Sequence, residues 1–204
     1  MTLPIETYIS VDIETAGPNP GQYSMLSIGA CTVLPPLKTF YVELRPLNTL
    51  STPEALAVSG LSLERLSESG LPPEEAMRRF ATWVSQVIAP ESRPVFVGLN
   101  APFDWSFVND YFHRFLGYNP FGHSALDIKA LYMGLTGSSW QETYLEALAE
   151  RCGLDLELTH HALDDALDQA EIFHCLLGEL RERALPADPG LQKEDDPSQG
   201  KEHP

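Results

Sequence analysis

The order in which hydrophobic periods succeed one another constrains this chain more than any other feature. Ile5 to Ile13, Met25 to Leu34 and Thr39 to Leu44 alternate apolar and polar positions, and turn-forming stretches such as Gly17-Pro18-Asn19-Pro20-Gly21 and Pro35-Pro36 lie between them. Period two marks a strand, and short turn-rich connections join neighbouring strands in an antiparallel meander. After Pro72-Pro73 the period changes to that of a helix, with Ala76, Phe80, Trp83, Val84, Val87 and Ile88 on one face and Glu74 and Glu75 in a first turn that favours negative charge. Pro94 to Leu99 then reads as a strand buried on both faces, and Phe103 to Phe115 as a helix. The alternation repeats with a strand at Ser124 to Ile128, a helix around Ala130 to Met133, and further helices at about Glu142 to Cys152 and His161 to Arg183. Three strands in a meander followed by alternating strands and helices predict an α/β fold, a mixed five-stranded sheet flanked by helices.

Composition supports one globular domain. The chain has 204 residues, 43% of them hydrophobic, within the ordinary range for a domain that buries a core. From Leu185 onward the sequence carries Pro186, Pro189, Pro197 and Pro204 and hardly any large apolar residue, so residues 185–204 are expected to form a disordered acidic tail after a domain of residues 1–184. No run approaches the roughly 18 apolar residues of a membrane span, and Met1-Thr2-Leu3-Pro4 lacks the basic and apolar regions of a secretory leader. Cys31, Cys152 and Cys175 are odd in number and scattered, which fits reduced thiols in a cytoplasmic protein better than a disulfide framework. The net charge is −16, of which the tail supplies −3. Such an excess of carboxylate opposes non-specific binding to a polyanion, which rests on Lys and Arg neutralising phosphates.

Four places carry candidate chemistry. Asp12 and Glu14 stand at the end of the first strand, on one face and about 7 Å apart along it. Asp104 in Asn100-Ala101-Pro102-Phe103-Asp104 falls in the first turn of a helix leaving a buried strand. In His160-His161-Ala162-Leu163-Asp164-Asp165-Ala166 a loop histidine precedes a helix whose early turn offers Asp165. Asp127 fits a helix cap. Alone, each carboxylate is explained by solvation or by dipole compensation at a helix start; together they are not.

The series Asp12-x-Glu14, Asp104 in NAPFD, and His160-x-Ala162-x-x-Asp165-Ala166 resembles the DEDDh exonucleases of the RNase H-like superfamily, which include proofreading exonuclease subunits, RNase T and oligoribonuclease. The resemblance spans about residues 5–180. Ala55 to Leu66 is similar to that family's linker between third strand and first helix. Ala16 departs from it, standing where the family often has a second Thr, a change expected to alter contacts near the nucleotide terminus. The resemblance implies 3′-to-5′ release of nucleoside 5′-monophosphates, with two Mg²⁺ or Mn²⁺ ions held by Asp12, Glu14, Asp104 and Asp165. Oxygen-only donors suit hard ions, which also relieve repulsion within the cluster. His160 is then the general base, an imidazole that exchanges protons near neutrality. Ile13, Thr15 and Asn100 are expected at the substrate, and Tyr23 and Trp105 to stack on terminal bases; Phe103, Phe107 and Phe112 are assigned to the core. The implied partners are 3′ ends of single-stranded DNA or RNA, or short oligonucleotides, with a homodimer or a polymerase partner both open. A catalytically silent RNase H-like module that binds a partner or a nucleic-acid end is the competing reading. The presence of all five acid and base positions favours the enzyme.

Overall fold

The computed structural model describes residues 5–156 and 159–184, so the expected tail at 185–204 lies outside the described residues. Five strands form one sheet in the order β3-β2-β1-β4-β5. β1 (Ile5–Thr15), β2 (Met25–Thr32) and β3 (Thr39–Glu43) are the antiparallel meander. β4 (Ser92–Gly98) pairs parallel to β1, and β5 (Ala125–Asp127) parallel to β4. The change from hairpins to parallel crossovers falls where the periodicity changes, because a parallel connection has to carry the chain back across a face of the sheet.

Alternation along β1 assigns its two faces. Ile9, Val11 and Ile13 turn toward α3 (Pro73–Val87) and α4 (Ala101–Leu116), packing with Phe80, Phe96, Phe107, Tyr111 and Phe112 in the larger core. The opposite face is covered by α5 (Ile128–Thr136), α6 (Leu145–Cys152) and α7 (Ala162–Ala184), with Val97, Ile128, Phe173 and Leu176 buried between. Asp12 and Glu14 alternate with Val11 and Ile13 and therefore face the α7 side. The segment expected as a linker holds two short helices, α1 (Pro53–Ser59) and α2 (Leu63–Ser69), each started by a hydroxyl cap: Thr52 accepts from the Ala55 N–H and Ser62 from the Arg65 N–H.

One glycine decides how α7 meets the sheet. Gly29 is the register partner of Asp12, and a Cβ placed on it would lie 2.1 Å from the backbone carbonyl of Ala162. Only a residue without a side chain lets the start of α7 lie on the strand pair there.

The expectation of three reduced thiols is corrected. Cys152 and Cys175 form a disulfide with Cα atoms 6.0 Å apart, tying the end of α6 to the middle of α7, and Cys31 alone remains a buried thiol. The two cysteines are 23 residues apart in sequence, and they meet because α6 folds back along α7.

Candidate active site

The parallel strands β1 and β4 stay registered as far as Ser10 and Val97, then diverge. The divergence frees the Ile13 N–H, which donates to Asp104 Oδ1 at 3.2 Å, and opens a cavity of about 240 Å³ at this edge of the sheet. Asp12, Ile13, Glu14, Asn100, Asp104, His160 and Asp165 all line it. Next to it, a second hollow of about 340 Å³ is lined by Ile13, Glu14, Thr15, Pro18, Ala55 and Val58. A bulge in β2 opposite Glu14 and Thr15 turns the end of β1 between the two hollows.

Carboxylate oxygens of Asp12, Glu14 and Asp165 lie within 4.8 Å of one another, a spacing that fits a shared divalent cation. Asp104, 4% exposed, is outside this trio and holds the Ile13 backbone. Burial, reinforced by Asp104, Asp165 and Glu14, drives the Asp12 carboxyl far above the usual range. Burial and the neighbouring Asp165 charge raise Glu14 to about 7, and burial raises Asp104 to about 8 against the backbone N–H groups that oppose it. Such a cluster holds protons in water and gives them up to a cation, which is the behaviour of a hard-metal site.

Two residues that complete the site escaped the sequence reading. Gln169 donates from Nε2 to Asp12 Oδ1 at 2.6 Å and accepts the Leu99 N–H on Oε1 at 2.9 Å, joining α7 to the ends of β1 and β4. Its spacing of one helical turn from Asp165 was the available signal. Thr159 donates both its N–H and its hydroxyl to Asp165 Oδ1, at 3.3 and 3.2 Å. His160 follows it on the cavity rim with a left-handed backbone, φ 53°.

The aromatic expectations are corrected. Tyr23 lies over Gly17 and packs with Ala16, Leu26 and Leu66, and Trp105 packs edge-on against Phe96 at 5.2 Å, and neither lines either of these two hollows. Phe103, assigned to the core with Phe107 and Phe112, is instead half-buried and lines both hollows. Ala16 is fully buried in the small cluster and lines neither hollow. Asp127 caps α5 as expected and also accepts the Asn100 N–H.

A mixed sheet of this order, with an acidic cluster where its central strands diverge, defines an RNase H-like nuclease fold. The nuclease domain of 3′hExo, described as a DEDDh family member bound to rAMP, shares it with a TM-score of 0.72 at 18% identity, over 86% of this chain and 93% of that one. Residues 9–173 match the exonuclease family model RNase_T. The sequence is 48% identical over 178 residues to the 3′-5′ DNA exonuclease Cap18 of Escherichia coli, covering 87% of this chain and 95% of that protein. It is 30% identical over 177 residues to ribonuclease T of Baumannia cicadellinicola subsp. Homalodisca coagulata, covering 81% and 80%. The chain belongs to this exonuclease family, and it is a 3′-5′ exonuclease.

Proposed function

We propose that the chain removes nucleoside 5′-monophosphates from the 3′ ends of single-stranded DNA and short oligonucleotides, with Asp12, Glu14 and Asp165 holding Mg²⁺ or Mn²⁺, Asp104 supporting a second ion, and His160 acting as general base. One observation carries this reading: three carboxylates from β1 and α7 converge within 4.8 Å, and His160 stands on the rim of the same cavity. Divalent ions bound there supply Lewis-acid polarisation of the phosphate and lower the pKa of an attacking water. His160, exposed on the rim, takes the proton from that water on a ring nitrogen as the oxygen bonds to phosphorus. The bond from phosphorus to the 3′ oxygen of the preceding nucleotide then breaks, the nucleoside 5′-monophosphate leaves, and the released 3′ oxygen takes a proton from solvent to become the new terminal hydroxyl. Gln169 fixes the Asp12 carboxylate, and Thr159 fixes that of Asp165, so the donors need little rearrangement. Glu14 and the backbone at Ile13 and Thr15 face the terminal sugar, Asn100 borders the cavity opposite them, and Phe103 offers a ring face to the terminal base.

DNA is favoured by the relative at 48% identity, named as a DNA exonuclease. Single strands are favoured by charge. Arg65, Arg78, Arg79, Arg114, Arg151 and Arg183 are each held by carboxylates, which leaves five described cations outside ion pairs, Lys38, Arg45, Arg93, Lys129 and Arg181, few against the two phosphate rows of a duplex. The test is release of mononucleotides from single-stranded and duplex DNA and from RNA, with Mg²⁺ or Mn²⁺ and with Asp12→Ala as control. Metal-dependent product from the single strand, absent in the control, is the expected result. Equal product from the control sinks the assignment, and a strong preference for long duplex at physiological salt contradicts the charge argument.

A further inference from the structure

Gly98 of β4 and Asp127 of β5 are register partners, so Asn100 and Lys129, each two residues further on, leave the sheet at the same edge. Their N–H groups share one acceptor, Asp127 Oδ1, at 3.2 and 3.0 Å. Asn100 lines the catalytic cavity, and the shared acceptor keeps the Lys129 backbone next to that of Asn100. α5 then runs away from this edge, and a 3₁₀ turn at Trp140–Glu142 brings the chain back, setting the Trp140 ring 4.6 Å from Lys129 Nζ. The next helix begins with Leu145, another cavity residue, immediately after Tyr144. Trp140 and Tyr144 are 48% and 55% exposed, and neither packs in a core cluster.

Like Lys38, Arg45, Arg93 and Arg181, Lys129 has no ion pair among the described residues, and of these five it is the one whose charge rests on an aromatic ring, the Trp140 indole. An unpaired cation with exposed aromatic rings beside a nuclease cavity combines the two elements that hold single-stranded nucleic acid, a charge for the backbone and ring faces for the bases. We propose that Lys129, Trp140 and Tyr144 form a holding surface for the single strand upstream of the scissile bond, Trp140 stacking a base on its open face and Lys129 contacting a phosphate. The proposal rests on reading the cavity as the seat of the 3′ end. It also bears on the net charge of −16: the surface supplies a local attraction beside the cavity within an acidic chain.

The test compares kcat/KM for oligothymidylate of about ten nucleotides with that for the thymidine dinucleotide, which reaches little beyond the cavity. Trp140→Ala is expected to lower the ratio of the two roughly tenfold, as loss of one base–aromatic stack implies, and Trp140→Phe to restore much of it. Tyr118→Ala, at an exposed aromatic beyond the far end of α4, leaves the ratio unchanged. Binding of a labelled strand to Asp12→Asn protein with Mg²⁺ reads the same surface without turnover. There Lys129→Gln is expected to reduce the slope of log affinity against log salt by about one, which a merely structural role would not do. Active enzyme with an unchanged ratio and an unchanged slope overturns the holding surface and leaves the cavity reading intact. Protein that hydrolyses neither oligomer, yet binds the strand through Trp140 and Lys129, keeps the surface and removes the catalytic reading. Protein that neither binds nor hydrolyses overturns both.

Discussion

His160 sits in a left-handed backbone conformation, φ 53°, between Thr159, which is tied to Asp165, and His161, which stacks on Tyr41 at 4.6 Å. Its neighbours are fixed while its own ring is exposed at the rim, which suits the base role proposed for it. Asn tolerates this conformation better than most residues, so His160→Asn tests the base with little backbone cost. Single-turnover rates are expected to fall about 10² to 10⁴-fold, with melting temperature and metal affinity nearly unchanged; an equal loss of metal affinity would assign the residue a ligand role instead. His160, Asp12, Glu14, Asp104 and Asp165, singled out in the sequence, line one cavity, and each lies at or next to an end of an element whose period was clear. The sequence missed Gln169 and Thr159 because an amide or a hydroxyl near a helix start is common, and only the partner it finds in space gives it a role. The aromatic residues failed for a related reason. Trp105 and Phe103 are two residues apart, and which of them turns inward depends on the rotation of α4 against the sheet.

The site is built by how α7 crosses the strands more than by α7 itself. The close approach at Gly29 brings the first turns of α7 onto β1 and β2, and Asp165 with them. Gly29→Ala is expected to force α7 outward, costing about 1–3 kcal/mol as overpacking does. It is also expected to weaken Mn²⁺ binding at least tenfold by separating Asp165 from Asp12 and Glu14. Calorimetric titration with Mn²⁺ and chemical denaturation check the two halves, and unchanged metal affinity would show that the helix accommodates the methyl without moving its carboxylate. The elements themselves were legible: each predicted strand and each long predicted helix has its counterpart, displaced by a few residues at the ends. What was not legible was α1 and α2, whose short lengths give no full hydrophobic period. The Cys152–Cys175 pairing was also hidden, because it needs the packing of α6 on α7.

For the molecule as a whole, the acidic cluster links stability to pH and to metal. Folding raises Glu14 from 4.5 to about 7 and Asp104 from 3.8 to about 8, so the native chain binds protons that the unfolded chain has released. Stability from these groups is therefore greatest below about pH 4 and is lost as pH rises to about 8. In chelator, the melting temperature is expected to decline across that window by several degrees beyond what the rest of the chain contributes. Mn²⁺ should restore it, most strongly at the alkaline end, where no proton competes. Asp12→Asn removes a carboxyl whose ionisation the fold opposes and is expected to raise the metal-free melting temperature near pH 8 while abolishing turnover. A metal-free melting temperature that rises with pH for wild type and variant alike would contradict the cluster's role.

By itself the sequence determined the strands, the longer helices, their order and the mixed sheet, and it pointed to the acidic residues, because period and turn chemistry are local and repeat along each segment. Tertiary structure alone decided which side chains meet. Gln169 reaches Asp12 across 157 residues, Asp104 reaches Ile13 across 91, and a glycine opposite Asp12 admits the helix that completes the cluster. Contacts at such separations depend on how packed faces rotate and cross, and the energies that set those angles belong to pairs of elements that no single segment of sequence contains.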